Sequence, residues 1–310
     1  MGVKIVVELC AAVLLGCGLA RRRSVWEGTT LGAPRRWALA AVAIVVAVDL
    51  WIAWMQPDGT TRSAVRYAAD TLLLTPFIAL LGAKRPQDQG WQWIVVSLWG
   101  VLLVPLAQWL AFGQGTFRLH LTWQVFMAIL VLAQLANFSG TSQFSSAVVW
   151  SLGQWVLLAP ALHRLMPFES MTSQPGVAWG RPLGMTLLAG AAWWAGTLAG
   201  NWDRRGRSWD RAWLDFRDLY GAAWGLRVLE RINQPAELAG WPVRLNWSRG
   251  FTETEGAAGD PSRVDQPEWT HEIDRAMRTV LRRFVSPNWL NDRLPSGPAA
   301  AGASPDDTAE

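Results

Sequence analysis

Charge is scarce in this sequence, and most of it lies at one end. Only 17% of the 310 residues are Asp, Glu, Lys or Arg, against about 25% in an ordinary soluble domain. Seven acidic residues fall in positions 1–200: Glu8, Glu27, Asp49, Asp58, Asp70, Asp88 and Glu169. The other seventeen fall in the last 110 positions. A chain divided in this way meets two solvents, lipid first and water second.

Other shortages exclude particular chemistries. Lys4 and Lys84 are the two lysines, so the last apolar stretch holds no amine for a retinal Schiff base. Cys10 and Cys17 are the two cysteines. Seven positions apart on one helix, they are separated by about 10 Å, too far for a disulfide. Histidine occurs three times, at 120, 163 and 271. No HExxH, GxSxG, Walker or GxGxxG pattern occurs, so no catalytic residue, metal or cofactor is assigned. The net charge of +4 does not indicate nucleic acid. Residues 1–200 carry 13 Lys and Arg against 7 acids, while residues 201–310 carry 15 against 17. The water-facing part therefore offers phosphate no net attraction.

What is abundant is apolar length. A membrane span takes about 20 mostly apolar residues, and seven stretches meet or approach this: 3–20, 37–55, 64–83, 91–113, 121–138, 145–163 and 182–200. The expected fold is all-α: a polytopic transmembrane helix bundle of about seven spans over 1–200, then a soluble, amphipathic helical tail over 201–294. Residues 295–310, rich in Pro, Ala, Gly and acid, bury nothing and are expected to be disordered. Arginine clusters set the orientation. Arg21, Arg22, Arg23, Arg35 and Arg36, then Lys84 and Arg85, then Arg204, Arg205 and Arg207 fall on one side of a seven-span chain. Lys4, Arg62, Arg118, Arg164 and Arg181 fall singly on the other. The N-terminus is expected outside, and the tail in the cytoplasm of a cell-membrane protein. Pro76, Pro105 and Pro160 lie inside spans and predict kinks.

Ionisable residues inside a membrane are costly, and each is a candidate functional group. Asp49 and Asp70 lie at similar depth on the two arms of one hairpin. Arg66 is one turn above Asp70 on the same face. Glu8, in the outer half of the first span, is placed to join them. The cluster Glu8, Asp49, Arg66 and Asp70 is either a compensated structural contact between helices or a polar pocket for a cation, proton or small solute. Gln134, Asn137 and Gln154 are further polar groups within spans. His120 and His163, at the outer ends of two neighbouring spans, are the candidate outer-interface histidines. They are expected to be solvated, since a zinc site takes more ligands.

In the tail, Trp209, Trp213, Phe216, Tyr220 and Trp224 recur at helical spacing over 208–233, with Pro235 past the helix end. A second amphipathic helix over 267–285 carries Trp269, Ile273, Met277, Val280 and Phe284 on one side and Arg275, Arg278, Arg282 and Arg283 on the other. A Gly- and Pro-punctuated connection is expected over 234–266. Three readings of function follow. The first is a membrane component that binds or organises a protein partner through the aromatic stripe of the tail. The second is transport or sensing of a small solute at the outer cluster. The third is a membrane enzyme near the two histidines.

Overall fold

The structure, a computed structural model, describes residues 2–21, 26–113, 115–165, 179–198, 207–253 and 267–294. The expectations placed on Arg22, Arg23, Glu169, Arg204, Arg205 and 295–310 lie outside the described residues. The chain is mostly helical. Its first part consists of α1 (Gly2–Arg21), α2 (Gly32–Met55), α3 (Gly59–Thr71), a 3₁₀ turn (Leu72–Leu74), α4 (Thr75–Leu81), α5 (Gln87–Leu102), α6 (Val104–Phe112), α7 (Leu121–Asn137), α8 (Phe144–Leu158) and α9 (Gly180–Leu198).

Among the described residues, three rods are long and apolar enough to cross a membrane. They are α1, α2 and the run from α3 through α4. Counted as one span, α5 and α6, bent by 43° at their junction, make a fourth. At about 1.5 Å per residue, the 17 residues of α7 and the 15 of α8 reach about 25 and 22 Å, less than a hydrocarbon core of about 30 Å. The 19-residue α9 is diluted by Arg181, Pro182 and several glycines.

Short connections fold these rods back on one another. The third rod starts at Gly59, five residues before the apolar run expected at 64–83, and Asp58 is its N-cap. Its Oδ2 accepts from the amides of Thr60 (2.9 Å) and Thr61 (3.1 Å), which caps the helix. Hydrogen bonds from Thr61, then from Thr60, hold this carboxyl below the usual carboxylate range. The third rod occupies the centre, with Leu72, Leu73 and Leu74 buried. Helices α8 and α9 approach closely through Gly153 and Gly184. A Cβ on Gly153 would lie 3.0 Å from the Gly184 carbonyl, and one on Gly184 would lie 2.7 Å from Leu157 Cγ. Small residues let two helix backbones come this close.

The helix is interrupted before Pro76 by the 3₁₀ turn and before Pro105 by the 43° bend; Pro160, expected to kink a span, lies instead past the end of α8 at Leu158. Beside each of the first two prolines a side chain from another rod serves the backbone. Gln154 Nε2 donates to the Leu73 carbonyl (2.7 Å), and the Tyr67 hydroxyl donates to the Leu102 carbonyl (2.6 Å). Each acceptor lies three residues before a proline, next to the carbonyl (Leu72 or Val101) whose helical donor the proline removes.

The tail comprises α10 (Ser208–Leu238), β1 (Val243–Asn246), β2 (Gly250–Glu253), α11 (Pro267–Leu281) and α12 (Pro287–Arg293). Two expectations are corrected here. First, α10 breaks at Gly221 (φ 69°, ψ −164°) and then runs through Pro235 to Leu238. Second, the stretch expected to be only a connection contains an antiparallel hairpin, with Val243 opposite Glu253 and Asn246 opposite Gly250. The hairpin buries Val243, Leu245 and Phe251 against α10.

The tail packs on one end of the bundle, where the loops before α2 and after α4 and α7 emerge. Trp213, Phe216 and Tyr220 form one core with Leu31, Phe77, Leu80, Ile273, Met277 and Phe284. Polar contacts close the joint. The Tyr220 hydroxyl donates to the Phe284 carbonyl (2.8 Å), Trp224 Nε1 to the Leu80 carbonyl (3.0 Å), and Ser142 Oγ to Asp218. Burial raises the Tyr220 hydroxyl well above its ordinary range, so it remains a donor.

Candidate functional site

The structure brings Asp49, Arg66 and Asp70 together at the end of the bundle away from the tail, and it adds Arg181, the second residue of α9. The guanidinium of Arg181 spans both acids. Nη2 lies 2.8 Å from Asp49 Oδ2 and Nη1 lies 2.8 Å from Asp70 Oδ2, while Nε donates to Asp49 Oδ2 at 3.1 Å. Arg66 Nε stands 3.3 Å from Asp49 Oδ1. Two cations face two anions, and the planar fork of arginine suits such a double pairing. Glu8 lines a small cavity beside Asp49, together with Ile5, Leu9, Val46, Leu50 and Met185. Its volume is about 10 Å³, room for one water at most. The cluster therefore ties α2, α3 and α9 into one clasp and leaves no space for a solute. Sequence reasoning counted Arg181 only as an orientation charge. The available signal was an arginine at the start of the last apolar stretch, level with two unpaired acids.

The histidines are not brought into one site. His120 Nδ1 lies 3.0 Å from Thr122 Oγ1 and caps α7. His163 sits in the turn after α8, and its neighbour Arg164 donates its amide to the Gln124 carboxamide (3.0 Å). Among the described residues, no three His, Cys, Asp or Glu side chains are grouped to hold a metal. The five tail aromatics Trp209, Trp213, Phe216, Tyr220 and Trp224 are buried in the chain's own core. A partner of the tail would have to meet some other surface.

Sequence reasoning missed a larger feature at the end of the bundle that meets the tail. A cavity of about 270 Å³ lies where α2, α4, α8 and α9 meet the tail, close to the lower end of small-molecule pockets, about 300 Å³. Its depth is apolar. Ala38, Ala147, Ala191, Ala192 and Ala195 leave the room, and Phe77, Leu80 and Trp150 complete the wall. Its rim carries Arg35, Gln143, Asp215, Asp218 and Arg293. Most of these groups are paired. Arg293 Nε lies 2.7 Å from Asp215 Oδ2, and Arg217 Nη2 lies 2.7 Å from Asp218 Oδ1. Three buried polar atoms on the lining residues make no hydrogen bond: Trp26 Nε1, Arg35 Nε and Gln143 Oε1. Buried polar groups are ordinarily satisfied; these three atoms lie beneath the lining, and the charged group on the lining without an ion-pair partner among the described residues is Arg35.

No protein-family model, curated protein or solved structure matches this chain.

Proposed function

We propose that this chain is a seven-traversal membrane protein that binds an amphiphilic molecule in the cavity between its bundle and its cytoplasmic tail. The carrying observation is the cavity itself: lined by alanines and large apolar side chains, with Arg35, which has no ion-pair partner among the described residues, on its lining. Such a wall suits a hydrocarbon chain, and the guanidinium suits its head group.

Seven traversals are supported by the outer surface of the bundle. Exposed large apolar side chains occur on the short helices and on α9 as well as on the longer rods: Ile129 and Leu132 on α7, Leu152 on α8, and Leu183 and Trp194 on α9. In the tail, by contrast, exposed large apolar residues are limited to Leu226 and Leu238 among the described residues. The arginine clusters support a cytoplasmic tail. Transport of a solute through the outer cluster is disfavoured by the two acids' engagement with Arg181.

Two experiments test the reading. Reporter fusions after residues 58, 87 and 203 should report outside, inside and inside; any other order overturns the topology. Native mass spectrometry of the full chain in mild detergent should show one bound amphiphile, either retained from the membrane or loaded from added 1-O-hexadecylglycerol. Ala191→Trp, which fills the cavity, should abolish it. A wild-type chain that carries and loads nothing ends the proposal.

A further inference from the structure

We infer that the amphiphile carries an anionic head group and that Arg35 is the residue that holds it, an inference that rests on the cavity being an amphiphile site. The argument is one of charge balance. Four ionisable side chains line the cavity: Arg35, Asp215, Asp218 and Arg293. Arg293 is paired with Asp215, and Asp218 is paired with Arg217 and also accepts from Ser142. Among the described residues Arg35 makes no ion pair, and its buried Nε makes no hydrogen bond. The lining is thus left with one uncompensated positive charge.

An unpaired guanidinium beside a low-dielectric cavity favours an anion with several acceptor oxygens. Phosphate and carboxylate match its planar donor fork, and hydrogen bonds to charged groups are the stronger kind. A neutral head group would leave the charge uncompensated, and a cationic one would add a repulsion. Basic pockets between helices on the cytoplasmic side are a general means of holding anionic lipid head groups, and Arg35 lies on that side in the proposed topology. The geometry also separates Arg35 from Arg36. The latter is exposed and does not line the cavity, so it serves as an internal control.

The test uses the full-length chain in neutral detergent, with occupancy read by native mass spectrometry. Three probes share one hydrocarbon chain: hexadecyl phosphate, 1-O-hexadecylglycerol and hexadecyltrimethylammonium. Inorganic phosphate is the fourth. Hexadecyl phosphate should reach half-occupancy at a concentration about tenfold below that of 1-O-hexadecylglycerol, with the trimethylammonium probe weakest. Inorganic phosphate should compete poorly, because it lacks the chain. Arg35→Gln should bring the phosphate and glycerol probes within about twofold of each other, while Arg35→Lys and Arg36→Gln keep the preference. Equal occupancy by the anionic and neutral probes on the wild-type chain overturns the inference and leaves the amphiphile site standing; this comparison needs no variant. A preference that survives in Arg35→Gln also overturns it. Displacement by inorganic phosphate at matching concentration indicates a free-anion site instead. Failure of every hexadecyl probe to bind removes the amphiphile site itself.

Discussion

The side chain of Asn137 fills the break that Gly221 makes in α10. Its Oδ1 accepts from the Ala223 amide at 2.8 Å, and its Nδ2 donates to the Tyr220 carbonyl at 3.4 Å. The last residue of α7 therefore replaces the ladder bonds that the break removes, and the tail is attached to the bundle through its own backbone. Gly221 has φ 69° and ψ −164°, a region that only glycine occupies at low cost; another residue there is strained by about 1–3 kcal/mol. A Cβ would also overlap the Asn137 carboxamide and lie 2.5 Å from the Asn137 carbonyl oxygen. Gly221→Ala should release the tail, seen as faster proteolysis within 207–253 and a lower unfolding temperature in detergent. Asn137→Ala should act in the same direction by about 1–3 kcal/mol, since it leaves buried backbone groups unpaired. Proteolysis of both variants at the wild-type rate would contradict this account of the joint.

The outer clasp predicts a rescue. Arg181 is 12% exposed, and its partners Asp49 and Asp70 are 8% and 5% exposed. Removing one partner of a buried ion pair strands the other charges, at a cost of about 3–5 kcal/mol. Arg181→Gln should therefore sharply lower the amount of folded protein in the membrane. The quadruple variant D49N/R66Q/D70N/R181Q, in place of a triple variant that would leave Arg66 without Asp49, strands none of the four charges and should recover most of it. If the quadruple variant accumulates no better than the single one, charge compensation is not what the cluster provides.

Much of this arrangement is legible in the sequence, and the physical reason is proximity along the chain. Asp49, Arg66 and Asp70 sit on two arms joined by a three-residue turn, so counting residues from that turn places them at one depth. Arg181 meets the same acids across 132 and 111 positions, where helix periodicity carries no information. The cavity is less legible still. Its space comes from five alanines on three helices, each unremarkable in an apolar run, and its charged rim comes partly from the tail. The aromatic stripe of α10 reads correctly as one face of a helix, but the sequence does not say that the bundle's own loops cover that face. The break at Gly221 is equally hidden, since a glycine inside a helical pattern is ordinarily tolerated.

The two proline sites make a smaller, quantitative prediction. Gln154 also exchanges hydrogen bonds with Gln134, at 3.2 and 3.3 Å, while Tyr67 serves Leu102 alone. Hydrogen bonds between membrane helices average about 0.6 kcal/mol and reach about 1.7. Tyr67→Phe keeps the ring and should cost near that average. Gln154→Leu also strands Gln134 and should cost more. Denaturation in mixed micelles gives both values, and the reverse ranking would show that the Leu73 carbonyl does not depend on Gln154.

The tail should show an inverted acid response at Asp210. Its Oδ1 accepts from the Phe251 amide at 2.6 Å and ties the start of α10 to the hairpin. Burial raises this carboxyl above the ordinary aspartate value, and the Phe251 bond offsets that only in part. The folded state thus binds the proton more tightly than the unfolded state does. The group's contribution to stability is then greatest at pH below the unfolded value and is lost as pH rises through the elevated folded value. Asp210→Asn retains an oxygen acceptor for the Phe251 amide and carries no charge. At neutral pH it should unfold at a higher temperature than wild type, and the difference should shrink as the pH falls into the range where Asp210 is protonated. A variant that is less stable at neutral pH and unchanged by acidification would show that the ionised carboxylate, through the Phe251 amide and the nearby Arg207, contributes more than its desolvation costs.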